Sequence, residues 1–321
     1  MERQPLDLRI RSSWQVRAAA GEPYAVVRVR NLQATVHAAQ DAWGRASKAQ
    51  PLLVSAEVSM RDTFEGSSAA DAVAADTVHY GTLSKVILAS LERYRQPPPG
   101  QDDADDGNGR SLRDVLDTIW SGLTGLTIDG ARSPSRRAGD GAPFLDASRV
   151  RFMSVTVTLP KASLLGDGVS LTATSVFEQD GSLQRVDVFG TCLRLHGLRV
   201  PTLIGVNPNE RLAKQFVVTD IEVDKFDYAP DAYTALEALA VNIIGESAFE
   251  TLEALGSHLA RAIMADFRPL ATQTYSGPLG WQVKISMEKP TAVPFADAPS
   301  VEIRAGAAGP HDIPGVLNQT R

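Results

Sequence analysis

Leu52-Leu53-Val54-Ser55-Ala56-Glu57-Val58-Ser59-Met60 puts Val54, Ala56, Val58 and Met60 on one side of an extended chain and Ser55, Glu57 and Ser59 on the other. Strict alternation marks a strand with one face in a core and the other in water. Ala25–Leu32, rich in valine and arginine, reads as the strand before it. Downstream, Leu83, Val86, Ile87 and Leu91 make the stripe of an amphipathic helix that Asp76 or Thr77 can cap. Leu112, Val115, Leu116, Ile119 and Leu123 make a second, and Arg151–Leu159 and Val169–Phe177 read as two more strands. The order is strand, strand, helix, helix, strand, strand.

The rest of the chain repeats that order. Gly190–Leu198 and Phe216–Asp224 read as strands. Leu236, Leu239, Ala240, Ile243 and Ile244 mark one helix, and Leu252, Leu255, Leu259, Ala262 and Ile263 the next. Trp281–Met287 alternates strictly, and Ser300–Arg304 is the last strand. Asn31-Leu32 lines up with Gly197-Leu198, Gln50 with Gln215, and Tyr80 with Tyr233, which makes the organisation two copies of one unit. The expected domains are 22–180 and 185–305, joined at Gly181–Ser182, with 1–21 and 306–321 as flexible termini. Arg95–Arg110, dense in proline, glycine and aspartate, reads as a solvated insertion, and Ala131–Pro143 as a second loose loop. Two helices cover only one face of a four-stranded sheet and leave its edges open, so each α+β unit should associate with others.

Composition narrows the function classes. With 43% hydrophobic and 22% charged residues the chain is that of an ordinary globular protein. A net charge of −6, with both signs mixed along the chain, argues against nucleic acid or an anionic membrane as partner. No apolar run approaches the roughly 18–20 residues of a membrane span. Cys192 is the only cysteine, so no intrachain disulfide can form. The amino terminus has arginines but no apolar stretch of a secretory signal, and a cytoplasmic location is expected. No metal-ligand spacing is present, and no cofactor is expected.

Four motifs carry a resemblance. Gly205-Val206-Asn207-Pro208-Asn209-Glu210-Arg211, with Gln215 five positions after the glutamate, resembles the glycine-to-Glu-Arg…Gln signature of dihydroneopterin aldolases. Phe249-Glu250-Thr251-Leu252-Glu253-Ala254-Leu255 resembles the Leu-Glu motif that opens the family's second helix. Tyr233 stands twenty residues before Glu253, and Glu288-Lys289-Pro290 resembles the Lys-Pro motif. In the first copy Asp76-Thr77-Val78-His79-Tyr80 resembles the segment leading to the family tyrosine. The rest of that copy is worn: Arg45 stands where the loop glutamate belongs, Asp114 replaces the helix glutamate, and Leu159 takes the place of the lysine.

The resemblance implies a tunnelling fold: ββααββ units, two in tandem, assembling edge to edge into a ring-shaped barrel as a homo-oligomer of two-domain chains. It also implies retro-aldol cleavage of dihydroneopterin to hydroxymethyl-dihydropterin and glycolaldehyde, a step of folate biosynthesis, without metal or Schiff base. Lys289, Glu210, Tyr80 and Tyr233 are the candidate catalytic residues; Glu253, Leu252 and Val78 are the candidate substrate-binding ones. The two oxygens of Glu253 can accept paired N–H bonds from a guanidine-like pterin edge. A desolvated Lys289, through an ordered water, can act as base and then as acid, tuned by Glu210. In the family the tyrosine comes across the seam from a neighbouring unit, so Tyr80 would meet Glu210, Glu253 and Lys289 of a second copy, and Tyr233 the depleted set.

Plainer readings stand beside these. Glu253 and Glu210 also fit solvated surface carboxylates, Lys289 a snorkelling surface lysine, and the tyrosines aromatic caps on helix starts. An epimerase of the same side chain, a lyase on another planar heterocycle, and a non-catalytic pterin-binding or scaffolding subunit are the alternative functions.

Overall fold

The computed structural model describes residues 10–97, 110–134, 142–178, 186–267 and 281–306. The expected joint at 181–182, most of the insertion after Arg95, the middle of the second loop and the carboxy-terminal tail lie outside them. The chain divides into two compact units. Unit 1 holds Met1–Leu164, Gly168–Leu193 and Asp227–Thr234; unit 2 holds Leu165–Asp167, Arg194–Phe226 and Ala235–Arg321.

In unit 1, β1 (Ala25–His37) and β2 (Ala49–Met60) form an antiparallel pair, followed in register order by β3 (Val150–Leu159) and β4 (Gly168–Phe177). The alternation read from β2 holds as far as Val58: Leu52, Val54, Ala56 and Val58 are buried, while Leu53, Ser55 and Glu57 are only half-buried; Ser59, expected on the solvent face, is buried like Met60. The β1–β2 register slips between Val29 and Leu32, where Asn31 takes a φ of 52°. Asparagine tolerates that left-handed backbone, and the Ser55 hydroxyl, 3.0 Å from the Asn31 N–H, accepts from it.

Two main helices cover this sheet, preceded by a short turn of helix, α2 (Glu65–Ala70). The first, α3 (Tyr80–Ser90), buries Leu83 and Ile87. Its cap is His79, whose Nδ1 accepts from the Thr82 N–H at 3.1 Å, and not Asp76 or Thr77. Asp76 is occupied by the Ser67 N–H and hydroxyl on α2. The second, α4 (Leu112–Thr124), buries Leu112, Val115, Leu116, Ile119, Trp120 and Leu123.

The amino-terminal expectation needs correction. Ser13–Ala20 form a helix, α1, with a capping box between Ser12 and Gln15. Val16 and Ala20 bury against Phe152 and Val176. The Arg11 N–H donates to the Phe189 carbonyl at 2.7 Å, and a Cβ on Gly190 would lie 2.5 Å from the Arg11 carbonyl, so the glycine admits this segment. The arginine-rich composition concealed two apolar residues at helical spacing.

In unit 2 the strands follow in chain order: β5 (Val186–Thr202, from Arg194 on), β6 (Gln215–Asp224), β7 (Gln282–Glu288) and β8 (Ser300–Gly306). Val283, Ile285 and Met287 are buried beneath α6 (Leu252–Asp266), which follows α5 (Tyr233–Glu246). Gly256 lets α6 approach closely, since a Cβ there would come within 2.6 Å of the Ile303 Cδ1. On the other face Arg194 and Lys284 share Glu222 at 3.1 and 2.8 Å. Among the described residues no helix is long and apolar enough to cross a membrane.

Candidate functional site

The loop between β5 and β6 is built around one carboxylate. Gly205 has a φ of 139°, and a Cβ on it would fall 2.5 Å from the Glu210 Cβ, so only glycine lets the loop fold back over this side chain. Pro208 opens a short 3₁₀ turn, Pro208–Arg211. Glu210 Oε2 accepts from the Asn207 N–H at 3.0 Å and from the Asn207 amide nitrogen at 2.9 Å. Oε1 accepts from the Lys289 ammonium. The hydrogen bond from Lys289, backed by those from Asn207, brings the Glu210 carboxyl down to about 2. It is therefore ionised throughout the physiological range.

Lys289 is the unusual member. It directly follows β7, and its residue is only 6% exposed, so its charge has been withdrawn from water and set against the Glu210 carboxylate. Its backbone is fixed on both sides: the N–H donates to the Pro299 carbonyl at 3.2 Å, and its carbonyl accepts from Ala292 at 3.1 Å. Gln215 holds the loop in place by donating to the Ile204 carbonyl at 2.9 Å and the Glu210 carbonyl at 3.4 Å.

Arg211 then ties this loop to the segment ahead of α6, donating to the Phe249 and Ala248 carbonyls, each at 2.9 Å. Thr251 caps α6 through the Ala254 N–H at 3.2 Å. Leu252 is buried at the first helical position, and Glu253, next to it, is exposed. The structure thus links three of the sequence motifs through a continuous run of hydrogen bonds. Around them apolar side chains stand in the open: Val206, Leu212 and Phe216 on the loop and its exit, and Val293 and Phe295 after Lys289, the last fully exposed.

The tyrosines part company. Tyr80 is 69% exposed at the start of α3, stacked on His79. Val78, a candidate for binding, turns its side chain into unit 1, so only its backbone could reach a ligand. Tyr233, expected to line a site, is instead turned into unit 1. It is 1% exposed and its hydroxyl donates to the Gln40 carbonyl at 2.5 Å, within unit 1. Burial, reinforced by the nearby Asp231, raises its phenol well above the ordinary range.

Unit 1 also has a glutamine that ties down the loop ahead of its second strand. Gln50 donates to the Ala38 and Gln40 carbonyls at 3.1 and 3.2 Å, as Gln215 does to its own loop. Arg45 turns back on Asp41 at 2.7 Å and over the Trp43 ring, and Leu159 is buried in the core. One assignment changes. The buried positions of α4 and α6 match in register from Leu112 and Leu252 onward, so Arg113, not Asp114, stands opposite Glu253. Asp114 is the capping-box acid, accepting from the Ser111 N–H at 2.9 Å, and Arg113 pairs with Asp117 at 3.0 Å. At this register position unit 1 has a cation and unit 2 a carboxylate.

Residues 193–304 match the family model FolB: Dihydroneopterin aldolase. This carboxy-terminal part is dihydroneopterin aldolase-like. Among curated proteins the chain is similar to the folic acid synthesis protein fol1 of Schizosaccharomyces pombe, 25% identical over 281 residues, covering 86% of this chain and 30% of that protein. The chain thus spans less than a third of that relative. Among solved structures it is similar to E. coli dihydroneopterin aldolase in complex with neopterin, at 24% identity over 36% of this chain and 98% of that one, with a TM-score of 0.30. The urate oxidase of Bacillus sp. TB-90 matches 88% of this chain and all of its own at 10% identity and a TM-score of 0.55, a likeness of fold that runs through both units.

Proposed function

We propose that the protein is a dihydroneopterin aldolase of folate biosynthesis, cleaving dihydroneopterin to hydroxymethyl-dihydropterin and glycolaldehyde, with 185–305 as the working domain and 22–180 as a degenerate copy. The observation that carries this reading is Lys289: a buried ammonium paired to a carboxylate of its own unit, inside the aldolase-like part and linked to the amino end of α6. Glu253 there binds the guanidine-like edge of a pterin through two N–H bonds, next to the backbone of Leu252.

In the reaction Lys289, as the neutral amine, takes the side-chain hydroxyl proton through a bridging water, and Glu210 holds the ammonium so formed. The adjoining C–C bond breaks, releasing glycolaldehyde, and its electron pair enters the pterin ring as an enamine. The carbon left on the ring then takes a proton from the same lysine–water pair, so no proton is gained or lost overall. Tyr80 and the backbone of Val78 reach this site from a second copy of the chain, in a ring of units. The uncovered apolar side chains around Lys289 and the exposed Tyr80 support such a seam. Mixing pure protein with dihydroneopterin and measuring glycolaldehyde tests the reading. Tight pterin binding without glycolaldehyde would favour a binding subunit instead.

A further inference from the structure

In unit 1 the place that corresponds to the proposed ligand cradle of unit 2 is not empty. Asp231 Oδ1 accepts from the Leu112 N–H at 2.9 Å, the first amide of α4, and Oδ2 accepts from the Gln40 N–H at 3.0 Å, in the loop that Gln50 pins. Each carboxylate oxygen thus takes one backbone donor, as a bound small carboxylate would at a helix amino end. Thr234 adds a bond to the Gln40 side chain at 2.9 Å, and Tyr233 closes over the Gln40 carbonyl. A second observation comes from the start of β2, beside that loop. Gln50 is 4% exposed, yet its Oε1 has no partner among the described residues, whereas Gln215 Oε1 in unit 2 accepts from the Thr291 hydroxyl at 3.4 Å.

We infer that Asp231 is a built-in occupant of the unit 1 cradle: the chain's own carboxyl group fills a site lined by two backbone donors, seals it against free ligands and leaves one open cradle per chain. Position supports the assignment. Asp231 precedes Tyr233 as Val78 precedes Tyr80, and of the two only Asp231 carries acceptors for backbone amides of unit 1. The surrounding charges fit an occupant held by amides and not by a cation. Arg45 is committed to Asp41, Arg113 to Asp117, and Asp114 to its own helix cap. The inference holds whether or not unit 2 is an aldolase.

The test is chemical rescue. Asp231→Ala opens a carboxylate-shaped gap, and sodium formate at about 0.2 M should raise the melting temperature of the variant by several degrees over equimolar sodium chloride, while the parent responds equally to both salts. No formate-specific gain in the variant overturns the inference. Should the variant fail to fold, the unsubstituted protein decides by deuterium exchange. Slow exchange at the Leu112 and Gln40 amides supports the seal; exchange as fast as exposed amides overturns it.

Discussion

Gly205→Ala is the sharpest probe of how the loop positions the chemistry. The new Cβ would lie 2.5 Å from the Glu210 Cβ, 2.6 Å from its Cδ and 2.7 Å from its Oε2, on a backbone at φ 139° that side chains rarely adopt. Either Glu210 gives way, which breaks its pairing with Lys289, or the loop leaves its conformation, which frees Gln215. A residue held in so sparse a region costs roughly 1–3 kcal/mol. With a urea dependence of about 2 kcal/mol per molar, the unfolding midpoint should fall by roughly 0.5–1.5 M. Glycolaldehyde release should fall with it, because Lys289 loses its partner. Gly245→Ala is the control: its Cβ would meet only the Val200 Cγ1, at an ordinary 3.8 Å, inside α5. It should leave the midpoint unchanged or raise it by up to about 1 kcal/mol in stability. Equal midpoints and equal rates for Gly205→Ala and the parent would refute the argument.

Four further expectations follow from the geometry. Lys289→Ala should lower turnover by about 10²–10⁴ in steady-state kinetics while pterin titration still shows binding, and loss of binding alone would contradict the acid–base role. Glu253→Ala should abolish that binding and Arg113→Ala should not; the reverse order in calorimetry would undo the helix register argued above. Tyr80→Phe should slow the reaction, whereas Tyr233→Phe should keep the rate and cost about 1 kcal/mol of stability in urea, the value of a hydrogen bond made indoors. Asp231 gives a pH signature. Burial, aided by the Asp114 charge and opposed by the Leu112 and Gln40 amides, raises its carboxyl to about 7 from an ordinary 3.8. A carboxyl that keeps its proton longer when folded contributes stability that is lost as pH rises from about 4 to about 7, with no change above. Asp231→Asn should flatten that part of a stability–pH curve, and an unchanged slope would exclude Asp231 as its source.

Local regularity made much of the fold readable. The alternation in Leu52–Val58 and Trp281–Met287 survives as burial because one face of each strand lies under helices. The loop of unit 2 was readable for a related reason: Gly205, Glu210 and Gln215 stand close in sequence, and each residue type helps to enforce the loop's geometry. What escaped was whatever depended on capping or distant packing. Two acids near a helix start look alike in a sequence, and only the cap geometry separates Asp114, folded onto Ser111, from the position of Glu253. His79 was overlooked as a cap because its imidazole nitrogen does there what aspartate or threonine usually does. Asp231 carried no local signal at all, since both its donors lie more than a hundred residues upstream.

That last feature bears on how the chain can be made. Unit 1 is finished by residues 227–234, which are synthesised only after β6. Until then the Leu112 and Gln40 amides have only water to bind, and the stretch Ile10–Ala20 waits likewise for Phe189. Contacts this remote in sequence form late and slowly. The first half of the protein therefore cannot reach its final state as an independent module during translation. Its last hydrogen bonds arrive with the opening residues of its successor, so the two halves mature in one overlapping step and not in series.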